Sequence, residues 1–182
     1  MFILLTGQRG SGKTTACWKA LSELRGSGLK LAGFISPPLL DANGKKSGIE
    51  MLDLTTGEHQ TFARIVGPDE GPDVGIYRLE PGAIDWAQRV LSAAIVSDMD
   101  WLVLDEIGPL ELHQGGGFAF ALPPLADAVR IPNAIVIVRP ELVDELSDRL
   151  GRTDIVRFEV TKDRRATAPG RLVRLTREVQ TE

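Results

Sequence analysis

Phe2-Ile3-Leu4-Leu5-Thr6-Gly7-Gln8-Arg9-Gly10-Ser11-Gly12-Lys13-Thr14-Thr15 stands almost at the start of the chain. An unbroken apolar run that stops at a glycine is the pattern of a central parallel strand buried on both faces. The residues after it match G-x-x-x-x-G-K-S/T at Gly7, Gly12, Lys13 and Thr14. In such a loop the small residues let backbone N–H groups converge on phosphates with no Cβ in the way. Good helix formers follow, with Cys17, Ala20, Leu21 and Leu24 at three-and-four spacing and Gly26 as a stop, so a helix is expected over 13–26. The partial positive charge of its N-terminus would add to the cradle. Strand, glycine-rich loop and helix in this order separate the motif from an ordinary glycine-rich turn. The expected nucleotide-binding residues are therefore Gly7, Gln8, Arg9, Gly10, Ser11, Gly12, Lys13, Thr14 and Thr15. Lys13 would reach the β- and γ-phosphates, and the Thr14 hydroxyl would face Mg²⁺.

Working outward, 29–36 reads as a second strand closed by Pro37-Pro38. Asp41-Ala42-Asn43-Gly44 is then a turn signal, 48–54 alternates in polarity, Thr56-Gly57 marks another turn and 58–65 reads as a further strand. That is antiparallel grammar, set as an insertion at about 36–66 within α/β grammar. Residues 67–75 form a loop, and Pro81 opens a helix with Ile84, Ala87, Val90, Leu91, Ala94 and Ile95 on one face. Trp101 to Leu104 is another buried strand, ending in Asp105-Glu106. Gly115-Gly116-Gly117 reads as a flexible joint before a helix running to Val129. A strand at 134–138, a helix at 140–150 and a strand at 155–160 follow, with 171–179 either strand or helix. The whole 1–182 is expected to be one α/β domain, a mostly parallel sheet with helices on both faces and a small antiparallel insertion.

Length and charge agree. A chain of 182 residues suits one α/β domain, and 43% hydrophobic with 25% charged residues describes a globular protein. A net charge of -4 without a basic arm gives no reason to expect nucleic acid as a partner. The apolar N-terminal run is too short for a membrane span and has no basic residues before it, so no membrane role is expected. One cysteine, Cys17, cannot form an intrachain disulfide, which fits a reducing cytoplasm; it reads as a small buried apolar residue. His59 and His113 form no metal pattern.

Asp105-Glu106 completes the chemistry. An acidic residue at the C-terminal end of a buried strand comes to lie beside the phosphate loop, because ligands gather at that edge of a parallel sheet. Asp105 would hold Mg²⁺ through its water shell, and Glu106 would orient the attacking water. Arg9, Arg64, Arg78, Arg139 and Arg165 are all possible γ-phosphate partners, although a lone arginine is more often a solvated surface charge. Trp86 and Tyr77 could stack on a base, with core or rim packing the plainer role.

With Asp105-Glu106-Ile107-Gly108-Pro109-Leu110-Glu111-Leu112 in view, the chain resembles the THEP-type nucleoside triphosphatase family. Gly33-Phe34, Val74-Gly75-Ile76-Tyr77 and Val160-Thr161-Lys162-Asp163-Arg164-Arg165 are similar to further family stretches. The resemblance implies a P-loop NTPase domain of the RecA/AAA-like kind, slow hydrolysis of ATP, GTP and other nucleoside triphosphates, and Mg²⁺ as cofactor. It carries Lys13, Thr14, Asp105 and Glu106 over directly and marks Arg165 as a catalytic nucleotide contact. Two departures bear on selectivity and rate: Pro37-Pro38-Leu39-Leu40 replaces a stretch with a basic residue, and Lys46 stands where arginine is usual. Two other functions use the same loop, a nucleotide or small-molecule kinase and a non-enzymatic nucleotide-gated switch. The paired Asp-Glu and the lack of arginine in 67–75 favour water as the attacking group. A monomer or weak homo-oligomer is expected.

Overall fold

A computed structural model describes residues 1–71, 73 and 75–178. Nine strands among these residues join one sheet: β1 (Phe2–Thr6), β2 (Leu31–Ile35), β3 (Pro38–Leu40), β4 (Lys46–Asp53), β5 (His59–Ile65), β6 (Tyr77–Leu79), β7 (Trp101–Ile107), β8 (Ala134–Val138) and β9 (Ile155–Glu159). Their spatial order is β6-β5-β4-β2-β7-β8-β1-β9, with β3 pairing β4 from outside that path. From β2 to β9 every pairing is parallel; β3 to β6 add antiparallel strands at one side. The helices are α1 (Lys13–Gly26), α2 (Ala83–Ile95), α3 (Pro109–His113), α4 (Leu122–Ala126), α5 (Val143–Leu150) and α6 (Ala168–Glu178).

The two-residue period of a strand divides the core into two layers. Phe2 and Leu4 of β1, with Leu102 and Leu104 of β7, point to a layer closed by α2, α4 and α5. Ile3 and Leu5, with Trp101 and Val103, point to the opposite layer, closed by α1 and α6. All four apolar residues of β1 are 0% exposed, which is why the run is continuous rather than alternating. The mostly parallel sheet with helices on both faces is thus as the sequence pattern implied.

Three segments differ from the sequence reading. The antiparallel strands continue past residue 66 to β6, a three-residue strand too short to show a period. The helix expected to reach Val129 is a 3-10 turn at Ala119–Ala121 followed by the single turn of α4. Pro123 and Pro124 are tolerated in that first turn, and Asp127, with extended backbone, ends it while its Oδ1 accepts from the N–H groups of Val129 and Arg130. The segment after Arg171 belongs to α6, whose buried Ala168, Leu172, Val173 and Thr176 recur at helical spacing. Pro72 and Val74, and with Val74 part of a family-like stretch, lie outside the described residues, as do 179–182.

Candidate active site

The parallel strands β1, β2, β7, β8 and β9 all end on the same edge of the sheet, and the loop residues, Asp105, Glu106, Arg139 and Arg165 gather there. β1 ends at Thr6, and Gly7 turns the chain with φ +149° under the backbone of the segment after β9. A Cβ on Gly7 would stand 2.2 Å from the Val160 carbonyl oxygen and 2.7 Å from Ser11 Oγ, so only glycine fits. Gly10 and Gly12 also have left-handed backbone, with φ +75° and +98°. No side chain caps the start of α1, and no acidic residue stands in its first turn. The positive end of the helix is left facing the loop. Ser11 is 1% exposed and its Oγ has no hydrogen-bond partner among the described residues.

Lys13 folds back over this loop, donating from Nζ to the Gly7 carbonyl at 2.6 Å and to the Gln8 carbonyl at 3.3 Å. An ammonium resting on loop carbonyls can exchange them for phosphate oxygens, which are better acceptors. Gln8, Arg9, Gly10 and Thr15 are exposed, Thr14 half-buried. Arg165, after β9, lies over the loop: a Cβ on Gly12 would be 3.8 Å from the Arg165 Cβ.

Asp105 and Glu106 close the other side. Asp105 is 6% exposed, and the Ser36 backbone N–H donates to its Oδ2 at 3.0 Å, while Ser36 Oγ donates to its carbonyl at 2.9 Å. Burial pushes the Asp105 carboxyl up to about 7; the Ser36 N–H, the Thr14 hydroxyl and Lys13 act against that, and Glu106 reinforces it. The peptide joining Asp105 and Glu106 is cis. The pairing of β7 with β8 shifts register between Asp105 and Ile107, so Glu106 stands outside the ladder, as a bulge residue does. Its Oε1 accepts from Arg139 Nε at 2.9 Å. Of the other arginine candidates, Arg64 pairs with Glu80 on the antiparallel side, and Arg78 stands opposite Arg64 on the edge strand β6.

Two residues of this edge take a role that the sequence pattern does not state, Glu111 being visible there only as part of the 105–112 stretch. Ser36 follows β2 and holds Asp105 across 69 positions of chain. Glu111, 5% exposed, accepts from the Gly108 N–H at 2.9 Å through Oε2 and from the Phe118 N–H at 3.2 Å through Oε1. It ties the segment after Glu106 to the one after the three glycines. A Cβ on Gly117 would stand 2.1 Å from Glu111 Oε1, so at this position of the supposed flexible joint the carboxylate needs the space, while a Cβ on Gly116 would meet Leu110 Cδ1 at 2.9 Å. The second departure from the family pattern also has a place: Lys46 Nζ lies 5.3 Å from the centre of the Tyr77 ring. Trp86 packs against the core, and Cys17 is buried with its thiol pushed well up, by burial first and by Asp105 second.

Fold and site together define a phosphate-loop nucleotide-binding protein, in which a glycine loop between β1 and α1 faces paired carboxylates at the end of β7. The family model described as NTPase matches residues 2–173. The nucleoside-triphosphatase THEP1 of Methanopyrus kandleri is 33% identical over 174 residues, 94% of this chain and 92% of that protein. The solution structure of a human cancer-related nucleoside triphosphatase superposes with a TM-score of 0.67 at 26% identity, covering 97% of both chains. The crystal structure of THEP1 from Aquifex aeolicus, at 22% identity, shares the fold with a TM-score of 0.70 and covers 97% of this chain and 99% of that one. The chain belongs to the NTPase family.

Proposed function

We infer that the protein is a Mg²⁺-dependent nucleoside triphosphatase that cleaves the γ-phosphate of ATP, GTP and related nucleotides with water. The observation that carries this reading is the buried Asp105 beside Thr14 and Lys13, at the sheet edge where the phosphate loop opens. The donor set fits Mg²⁺: a hydroxyl and a carboxylate are hard oxygen ligands. No group of three His, Cys, Asp or Glu residues that could hold a metal is found among the described residues. A divalent ion would therefore be held jointly with the phosphates, the usual mode for Mg²⁺ in such sites. When bound, it neutralises charge on the β- and γ-phosphate oxygens.

The chain's own groups supply the rest. Backbone N–H groups of residues 7–15 and the start of α1 surround the phosphates, and Lys13 trades its loop carbonyls for β- and γ-oxygens. Arg165, lying over Gly12, adds positive charge above the loop. Glu106 accepts a hydrogen bond from water and aims its oxygen at the γ-phosphorus. The new bond joins water oxygen to phosphorus, the bond to the bridging oxygen breaks, and the products are nucleoside diphosphate, phosphate and a proton. The net charge of -4 supports free nucleotides rather than nucleic acid as substrates, and the single cysteine supports a reducing cytoplasm as the compartment.

The test is phosphate release from several nucleoside triphosphates with Mg²⁺ and no added acceptor. Release is expected, lost in Lys13→Ala, and reduced on the order of a hundredfold or more in Glu106→Gln with nucleotide affinity kept. Release that requires a metabolite and yields its phosphorylated form would make the protein a kinase. Tight binding without release would make it a switch.

A further inference from the structure

Arg139 is the first residue after β8, and β8 is wedged between β1 and β7. In that register Ile137 lies beside Leu5 of β1 on one side and beside Asp105 on the other. Arg139 therefore leaves the sheet between the phosphate loop and the Glu106 bulge. Its backbone is held by Pro140, which opens a 3-10 turn, and by the Leu142 N–H, which donates to the Arg139 carbonyl at 3.0 Å.

The guanidinium is used only in part. Nε donates to Glu106 Oε1, and no other partner of Arg139 is found among the described residues. The Nη1 and Nη2 donors stay available, in a planar fork that matches phosphate oxygens. With side chains 54% and 37% exposed, the pair contributes little to folding, so the fold is not what it serves.

We propose that Arg139 is a catalytic residue that couples the aim of Glu106 to the presence of a γ-phosphate. Nε keeps the Glu106 carboxylate oriented while the Nη donors take γ-phosphate oxygens, so one planar group spans the water-orienting residue and the group under attack. A diphosphate cannot complete that bridge. The proposal rests on Glu106 being the water-orienting residue.

The experiment compares the full chain with Arg139→Ala and Arg139→Lys. Calorimetry measures affinity for a non-hydrolysable triphosphate analogue and for the diphosphate, beside kcat and KM for the triphosphate. Arg139→Ala is expected to weaken analogue binding on the order of tenfold, leave diphosphate binding within about twofold, and lower kcat on the order of a hundredfold. Arg139→Lys, which has a point charge and no fork, should recover analogue binding in part while kcat stays low. Equal losses for analogue and diphosphate, no loss for either, or an unchanged kcat would each overturn the proposal. Lys13→Ala and Glu106→Gln run in parallel separate the two readings. Turnover surviving in those variants removes the site assignment and the proposal with it. Turnover lost in them but intact in Arg139→Ala overturns the proposal alone.

Discussion

Gly7 and Gly10 lie three positions apart in one loop, and only one of them is packed. A Cβ on Gly7 meets the Val160 carbonyl oxygen at 2.2 Å, whereas a Cβ on Gly10 meets nothing within 4 Å. Gly10→Ala is therefore expected to cost about 1 kcal/mol from its left-handed φ, and Gly7→Ala about 2–3 kcal/mol from displacing the segment after β9. Denaturant midpoints check this, and equal losses in the two variants would refute it. Asp105 raises a different question at the same scale. Its carboxyl is held at about 7, so above that pH the folded chain carries a buried charge that the unfolded chain keeps in water. A folded value above the unfolded one means stability present at low pH and lost as pH rises through about 7. Asp105→Asn should thus raise the apo protein's stability by about 1–2 kcal/mol at pH 8, and less at pH 5, while abolishing Mg²⁺-dependent turnover. Melting temperatures at the two pH values, beside phosphate release, provide the comparison.

Among the elements, α1 could be read to its last residue because its signals are local: a glycine before it, apolar residues at helical spacing and a stop. The segment from α3 to α4 could not. Three glycines read as a flexible joint before a helix to Val129, whereas the segment around them is tied by the Glu111 carboxylate. Replacing Glu111 with alanine leaves the half-buried Gly108 N–H and the buried Phe118 N–H without their acceptor, at a cost of about 2–4 kcal/mol. Because this segment follows Glu106 directly, kcat should fall with diphosphate affinity kept. Glu111→Gln, with one carbonyl acceptor, should lie between alanine and the parent. If Glu111→Ala unfolds no more readily than the parent, the cap is not what orders this segment.

The molecule as a whole divides its edges by task. Where the parallel strands end lie the loop, Asp105, Glu106 and Arg139; where they begin lies a second polar network. There the N-terminal ammonium donates to the Pro132 carbonyl and pairs with Asp154 at 3.2 Å. Arg152, its side chain 1% exposed, donates to the carbonyls of Leu125, Ile131 and Pro132 and to Asp154. The Arg152 hydrogen bonds, and after them the N-terminal ammonium, hold Asp154 down at about 2. A folded value below the unfolded 3.8 contributes stability above that value, which is lost as pH falls through about 2. Asp154→Asn is expected to lower stability at pH 7 and to flatten the acid limb of the stability curve between pH 4 and 2, with KM unchanged. A variant curve parallel to the parent's in that range would refute it.

Apolar periodicity, turn residues and a glycine-lysine loop act over a few residues. From them the sequence alone determined the alternation of strands and helices, the phosphate loop, and an acidic pair at the end of a buried strand. What the tertiary structure decided was which distant residues meet. β8 between β1 and β7 sets Arg139 against Glu106, the close of β2 sets Ser36 against Asp105, and the turn after β9 lays Arg165 over Gly12. Each of those contacts joins segments more than 30 positions apart, brought together by strand pairing and shared burial, and no local pattern in the chain encodes such a meeting.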